Sequence, residues 1–374
     1  MTASWKLFAV RGIDIRLHFT FPLILLWAGL QFAAFGGGAA GFAFGALATL
    51  LLFGLVLLHE LGHALAAQRY QVPVKQIVLM PLGGVAQLGR LPEKPTQELV
   101  IALAGPAVNV LLALPLGALA WLGGPGLTDS AAVLLGGAGF SPGALFAYLF
   151  VYNGLLAAFN MLPAFPLDGG RVLRALLALR LDYTRATVIA ASLGQILAGL
   201  LGLFGLLTGQ ILTVVVALFI FIAAGAESRL TRLRAILRGR KVHDIYARSV
   251  YSLQPFSTLQ QALNLMLFSG QRSFPVVTDG ALVGYLPQKE LMAAVGNGLS
   301  AQRPVAEVMR RDLAPARPAD ELNEVRERLE LEQLDALPVA AGGRFLGLIT
   351  WRQISDLQRL LATSPPLAAA GRAA

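Results

Sequence analysis

The run Leu51-Leu52-Phe53-Gly54-Leu55-Val56-Leu57-Leu58-His59-Glu60-Leu61-Gly62-His63-Ala64-Leu65-Ala66-Ala67 decides how this chain is read. It is apolar enough for hydrocarbon, yet it holds two imidazoles and a carboxylate. On a helix, positions four apart return to nearly the same face. His59 and His63 can therefore offer two ring nitrogens to one metal ion, with Glu60 beside them. In a soluble protein such a match is often a solvated helix face. Inside a membrane span that account is weak, because a charge at the helix centre costs about 2.5–3.5 kcal/mol even on a lenient scale. An interfacial anchor near the membrane end is the remaining structural alternative for Glu60.

The surroundings make the membrane reading general. The 374 residues are 56% hydrophobic and only 14% charged, with mean hydropathy +0.66; soluble chains average about 25% charged. A disordered chain is excluded. The absence of cysteine excludes disulfides, a cysteine nucleophile and thiolate metal sites. Apolar segments near the ~20 residues needed for a crossing predict six spans, at 19–36, 43–67, 98–122, 144–165, 187–207 and 210–226, the last of them short. No small-residue cleavage site follows Lys6, Arg11 and Arg16, so no cleavable signal peptide is expected.

Lys and Arg set the orientation. Basic residues fall between spans two and three (Arg69, Lys75, Arg90, Lys94), between four and five (Arg171, Arg174, Arg180, Arg185) and after six (Arg229 to Lys241). The connections 37–42, 123–143 and 208–210 carry none. This predicts a multi-pass cell-membrane protein with both termini cytoplasmic. The net charge of +9 is explained by topology, so no nucleic acid partner is expected, while the 229–241 cluster could meet anionic lipid.

From Lys241 onward the chain repeats itself. A shift of about 63 residues pairs Pro255 with Pro318, Pro275-Val276 with Pro338-Val339, and Gly284 with Gly347. Each copy reads as helix, strand, Gly turn, strand and helix, a small α/β module too thin in core to stand alone. The expected division is 1–226 membrane region, 227–241 basic linker, 242–300 and 301–361 the two copies, and 362–374 an unstructured tail.

Two histidines do not complete a catalytic zinc site, which wants a third ligand and an open position. Of the four histidines, His243 lies in the tail and His18 at the mouth of span one, so an acidic third ligand is expected. Asp168 is the candidate, in Asn160-Met161-Leu162-Pro163-Ala164-Phe165-Pro166-Leu167-Asp168-Gly169-Gly170-Arg171. Both prolines break helix geometry and the paired glycines let the backbone turn close to a neighbour. Spans two and four descend to the same membrane face, the condition for sharing an ion. The competing role for Asp168 is a cap on the following helix. A metal-polarised water, with Glu60 taking its proton, would attack an amide.

These motifs together resemble the site-2 protease family of intramembrane zinc metalloproteases. Ala104-Gly105-Pro106-Ala107-Val108-Asn109 is similar to that family's Gly-Pro-x-x-Asn motif, and Pro81-Leu82-Gly83-Gly84-Val85-Ala86 to its membrane-associated Gly-Gly loop. The repeated tail resembles a tandem pair of cystathionine-β-synthase (CBS) domains. The implied fold is a polytopic α-helical membrane protein of six transmembrane helices followed by a cytosolic α/β tandem CBS module. The resemblance implies one Zn2+ per chain held by His59, His63 and Asp168, Glu60 as general base, and a transmembrane protein substrate in the lipid bilayer.

The Gly83-Gly84 segment is expected to dip back as an extended edge that holds a substrate strand, or to be an ordinary hairpin. Asn109 and Asn160 are intramembrane amides that bind the scissile carbonyl or join helices; packing is favoured for Asn109. His18 reads as an interfacial residue. CBS pairs often bind an adenine nucleotide and form homodimers. The ribose-binding Asp of that pattern is absent from both copies, leaving Glu290 and Thr350 as the nucleotide candidates and making nucleotide binding doubtful. The rival class is a CBS-regulated transporter or channel with a structural or transported metal. Against it, few charges line a path, and a Glu between paired His has no transport purpose. An inactive scaffold is disfavoured because every ligand and the base are present.

Overall fold

The computed structural model describes residues 4–81, 83–89, 92–123 and 141–363. It divides into two compact units, the first ending at Arg229 and the second beginning at Leu230.

The first unit opens with an unpredicted hairpin, β1 (Ser4–Val10) and β2 (Ile13–His18), turning through Arg11 and Gly12 at positive φ. The helix α1 (Phe21–Phe32) follows, then a π-helical turn over Ala33–Gly37 and the long α2 (Gly38–Arg69). The first predicted span is therefore not one long helix. Twelve α-helical residues rise only ~18 Å, and the π turn ends at Gly38 with φ +50°, a backbone state suited to glycine.

After α2 come β3 (Val74–Met80) and β4 (Gly83–Leu88), then α3 (Pro95–Leu122), α4 (Pro142–Asn160), a short α5 (Asp168–Ala178), α6 (Tyr183–Leu207) and α7 (Ile211–Ile236). Five of these helices, α2, α3, α4, α6 and α7, are long and apolar enough to cross a membrane. The sixth predicted span, expected to be short, is a helix of 26 residues. Most of the basic-free connection 123–143 lies outside the described residues.

The four strands form one sheet in the order β1-β2-β3-β4, with β2 and β3 parallel and the outer pairs antiparallel. Ile13, Ile15 and Ile77 from the sheet pack on Ala64 and Ala67, the cytoplasm-ward turns of α2 in the predicted topology, and on Ile101 of α3. The sheet thus sits against the α2 segment that carries the histidines, and its β4 edge is unpaired among the described residues.

In the second unit, α8 (Leu259–Ser269), β5 (Phe274–Thr278), β6 (Ala281–Leu286) and α9 (Gln288–Gly296) form the first copy. The second copy is α10 (Leu322–Leu331), β7 (Ala336–Ala341), β8 (Arg344–Thr350) and α11 (Trp351–Thr363). The two copies join into a single sheet, β5-β6-β8-β7. Tyr285 of the first copy donates from its hydroxyl to the Ala336 carbonyl of the second at 2.5 Å, and burial pushes this phenol's pKa well above its ordinary value. Helix α11 runs to Thr363; the rest of the predicted unstructured tail lies outside the described residues.

Candidate metal centre

His59 and His63 stand one turn apart on α2, and both are buried. Asp168 opens α5 and is buried too. His59 Nε2 and His63 Nε2 lie 3.1 Å apart, and Asp168 Oδ2 is 3.2 Å from the first and 3.0 Å from the second.

The partners of the other ring nitrogens fix what these atoms carry. His63 Nδ1 is 2.7 Å from the Ile101 carbonyl, which can only accept, so Nδ1 holds the proton. His59 Nδ1 donates to Asn109 Oδ1 at 2.9 Å. The Asn109 amide is oriented in turn by its Nδ2, which points at the Asn153 carbonyl at 3.4 Å. In the neutral rings both Nε2 atoms then present lone pairs, and they converge with a carboxylate oxygen. Three buried acceptors of this kind repel one another unless a cation lies among them. The donor set of two imidazoles and one carboxylate suits zinc and leaves a coordination position over. Among the described residues this is the one cluster of three or more His, Asp and Glu side chains whose ligand atoms all lie within 4.8 Å of one another.

Glycines bring the backbones this close. A Cβ at Gly105 would lie 2.2 Å from His63 Nε2, so the Gly-Pro turn of α3 is a wall against which that imidazole rests. A Cβ at Gly84 would lie 2.7 Å from Glu60 Cγ, so β4 passes directly over the Glu60 side chain. Gly83 takes φ +132° at the start of that strand, a backbone state that disfavours side chains. A Cβ at Gly169 would meet the Met161 and Leu162 carbonyl oxygens at 2.3 Å, which holds the 161–167 turn against the first turn of α5.

The structure brings His59, His63 and Asp168 together, with Glu60 adjoining them on α2. Asn109, expected to pack helices, does that and more: besides supporting His59, its own carbonyl accepts from Asn153 Nδ2 at 2.7 Å. Asn160 ends α4, half-buried. His18 is away from the cluster, with Nδ1 2.7 Å from Thr20 Oγ1. Glu290 lies in the first turn of α9 and Thr350 ends β8. Thr350 Oγ1 accepts from the Gln353 backbone N–H at the start of α11. Neither residue lines the ~700 Å³ cleft between the two copies, whose wall includes Arg310, Arg311 and Arg317.

Sequence reasoning missed Asn153, Glu98 and the burial of Arg174. Glu98 and Arg174 are 1% and 2% exposed, and the Arg174 guanidinium binds both Glu98 and Glu227. A lone carboxylate at the start of an apolar span was the available signal for Glu98.

Apolar membrane-capable helices around a buried His-His-Asp cluster with an adjoining Glu define a membrane metalloprotease. Comparison with known proteins gives the family. Residues 47–201 match the model of "Peptidase family M50", and residues 242–297 and 305–359 each match that of the "CBS domain". The zinc metalloprotease MJ0392 of Methanocaldococcus jannaschii is 33% identical over 96% of this chain and 98% of its own length. Rip3 of Mycobacterium tuberculosis is 28% identical over 94% of this chain and 91% of its own. The solved structure of a site-2 protease from Methanocaldococcus jannaschii is 36% identical and covers 60% of this chain and 95% of that chain, with a TM-score of 0.43. The chain belongs to peptidase family M50, the site-2 protease family of zinc metalloproteases, and carries tandem CBS domains.

Proposed function

We propose that this protease hydrolyses peptide bonds within transmembrane segments of other membrane proteins, close to the cytoplasmic face. His59, His63 and Asp168 hold the zinc ion, one per chain. The observation that carries this reading is the convergence of their three ligand atoms, with Glu60 on the adjoining residue of α2 and under a strand edge that is unpaired among the described residues. Bound zinc supplies Lewis acidity toward a carbonyl oxygen and makes a water molecule more acidic. Glu60 takes the proton from the attacking water and returns it to the leaving amine, so its carboxylate alternates between base and acid.

A helical substrate hides its peptide bonds within its own hydrogen bonds and must unwind before attack. The β4 edge offers an unwound segment the main-chain partners it has lost. Gly83 and Gly84 keep that edge close to Glu60, because any side chain at 84 would displace the carboxylate. Asn109 orients His59 through its Nδ1 proton. Asn160, at the end of α4, is the amide left to contact a substrate carbonyl. Helices α1, α6 and α7 carry none of the catalytic side chains and serve as the lateral gate.

The surplus of Lys and Arg in alternate loops supports cytoplasmic termini. We divide the chain into the membrane protease (1–226), a basic linker (227–241) and two CBS copies (242–300, 301–361) that regulate the protease or pair two chains. The absent ribose Asp argues against a nucleotide as the regulator.

The decisive experiment compares purified wild type with Glu60→Gln for zinc content and for cleavage of a model transmembrane substrate. We expect about one zinc in both proteins and cleavage reduced at least 10²-fold in the variant. Undiminished cleavage by Glu60→Gln would remove Glu60 as the base, and zinc-free wild type would remove the metal centre.

A further inference from the structure

We propose that Arg174 is a positioning residue for the metal centre, resting on the zinc reading above: through Glu98 it fixes the helix that carries Asp168 to the helix turn whose carbonyl orients His63. Asp168 and Arg174 lie on the same short helix, α5. Glu98 lies on α3, three residues before Ile101, whose carbonyl accepts from His63 Nδ1. One ion pair therefore ties the acidic ligand's helix to the support of a histidine ligand.

Its geometry is directional. Arg174 Nε donates to Glu98 Oε1 at 2.8 Å and Nη2 donates to the same oxygen, while Nη1 donates to Glu227 Oε1. The guanidinium carbon lies 4.8 Å from the Phe165 ring centroid and 5.0 Å from that of Tyr183. Phe165 belongs to the 161–167 turn that leads into Asp168. The fork is thus held along its hydrogen-bonding edges and over its ring contacts, a use to which lysine's single ammonium is unsuited.

Stability alone is a poor reason for such a pair. A buried ion pair is commonly replaced by apolar residues at no loss of stability, whereas removal of one partner is costly. What apolar packing does not reproduce is a fixed distance and direction between two helices. At a metal centre that matters, since displacing one ligand by an ångström weakens coordination while the fold survives. Nor is Arg174 available as a surface topological charge, being 2% exposed.

The test uses the full chain with Glu98→Leu and Arg174→Met combined, so that neither member of the buried pair is left charged without its partner; Glu227, whose side chain is 36% exposed, is kept. Zinc affinity is measured by chelator competition, Co(II) is substituted to read the ligand field from its visible absorption bands, and the metal-free unfolding midpoint checks the fold. The expected result is zinc binding weakened about tenfold, shifted Co(II) bands and a metal-free midpoint within a few degrees of wild type. Unchanged affinity and bands in the folded double variant overturn the proposal. If that variant does not fold, Arg174→Lys, which keeps the charge without the fork, is measured in the same way. A threefold or larger loss of affinity then supports the clamp and wild-type values overturn it. Failure of wild type to bind zinc strikes the metal reading itself, and is thereby distinguished from failure of the clamp.

Discussion

At position 105 the His63 imidazole occupies the space any side chain would need, since a Cβ there would lie 2.2 Å from Nε2. Gly105→Ala is therefore expected to push the imidazole off its site and abolish stoichiometric zinc binding, measured by metal analysis of the purified protein. Gly84→Ala meets Glu60 Cγ instead, at 2.7 Å. It should keep its zinc and lose turnover, and a zinc-free Gly84→Ala protein would contradict the placement. Asn109→Leu removes the acceptor from His59 Nδ1 and should weaken zinc binding by 10–100-fold, readable by chelator competition. The shared helix face of His59, Glu60 and His63 was legible because helical spacing brings chain neighbours to predictable places, whereas the expectation for Asp168, 105 residues further on than His63, rests on two spans reaching the same membrane face and on the family resemblance. The roles of Asn109, Asn153 and Arg174 depend on which helices meet, and no local pattern encodes that.

At the scale of elements, Asn109 and Asn153 exchange side-chain-to-backbone hydrogen bonds that join α3 to α4. Interhelical bonds of this kind average about 0.6 kcal/mol in a membrane. Asn153→Ala should therefore lower stability modestly and alter zinc affinity less than Asn109→Leu does. In the tail, Tyr285→Phe deletes the hydroxyl that bonds the Ala336 carbonyl across the two copies. A loss of about 1 kcal/mol is expected, checked by denaturant unfolding of the tail signal. The long apolar helices and both CBS copies could be read from hydropathy and the 63-residue shift. The β1–β2 hairpin could not: in sequence the segment stands out only for Lys6, Arg11 and Arg16 ahead of the first span. Nor could the break after α1, because hydropathy averages across Gly36-Gly37-Gly38 without registering the change of backbone path.

For the whole molecule, the metal centre lies entirely within the first unit, and the tail has its own cores around Leu322, Leu337 and Ile354 and around Leu259, Phe274 and Leu291. Metal removal should therefore act on one unit. A ligand present at a thousandfold over its Kd stabilises the state that binds it by about 4 kcal/mol. Chelation should lower the unfolding transition of the membrane unit and leave that of the CBS unit in place, as read by calorimetry. A tail transition that moved equally would show that the units unfold as one. The contrast in charge density along the sequence carries no information about how the stabilities of the two units are coupled.

The β4 edge, unpaired among the described residues, has a consequence for products. Strand pairing has a period of two, so a guest that slips by one residue turns every side chain to the opposite face. Successive productive registers along β4 then differ by two residues. If substrates are threaded along this edge, mass spectra of the released fragments should contain a ladder with two-residue rungs, in which neighbouring peptides share the parity of their termini.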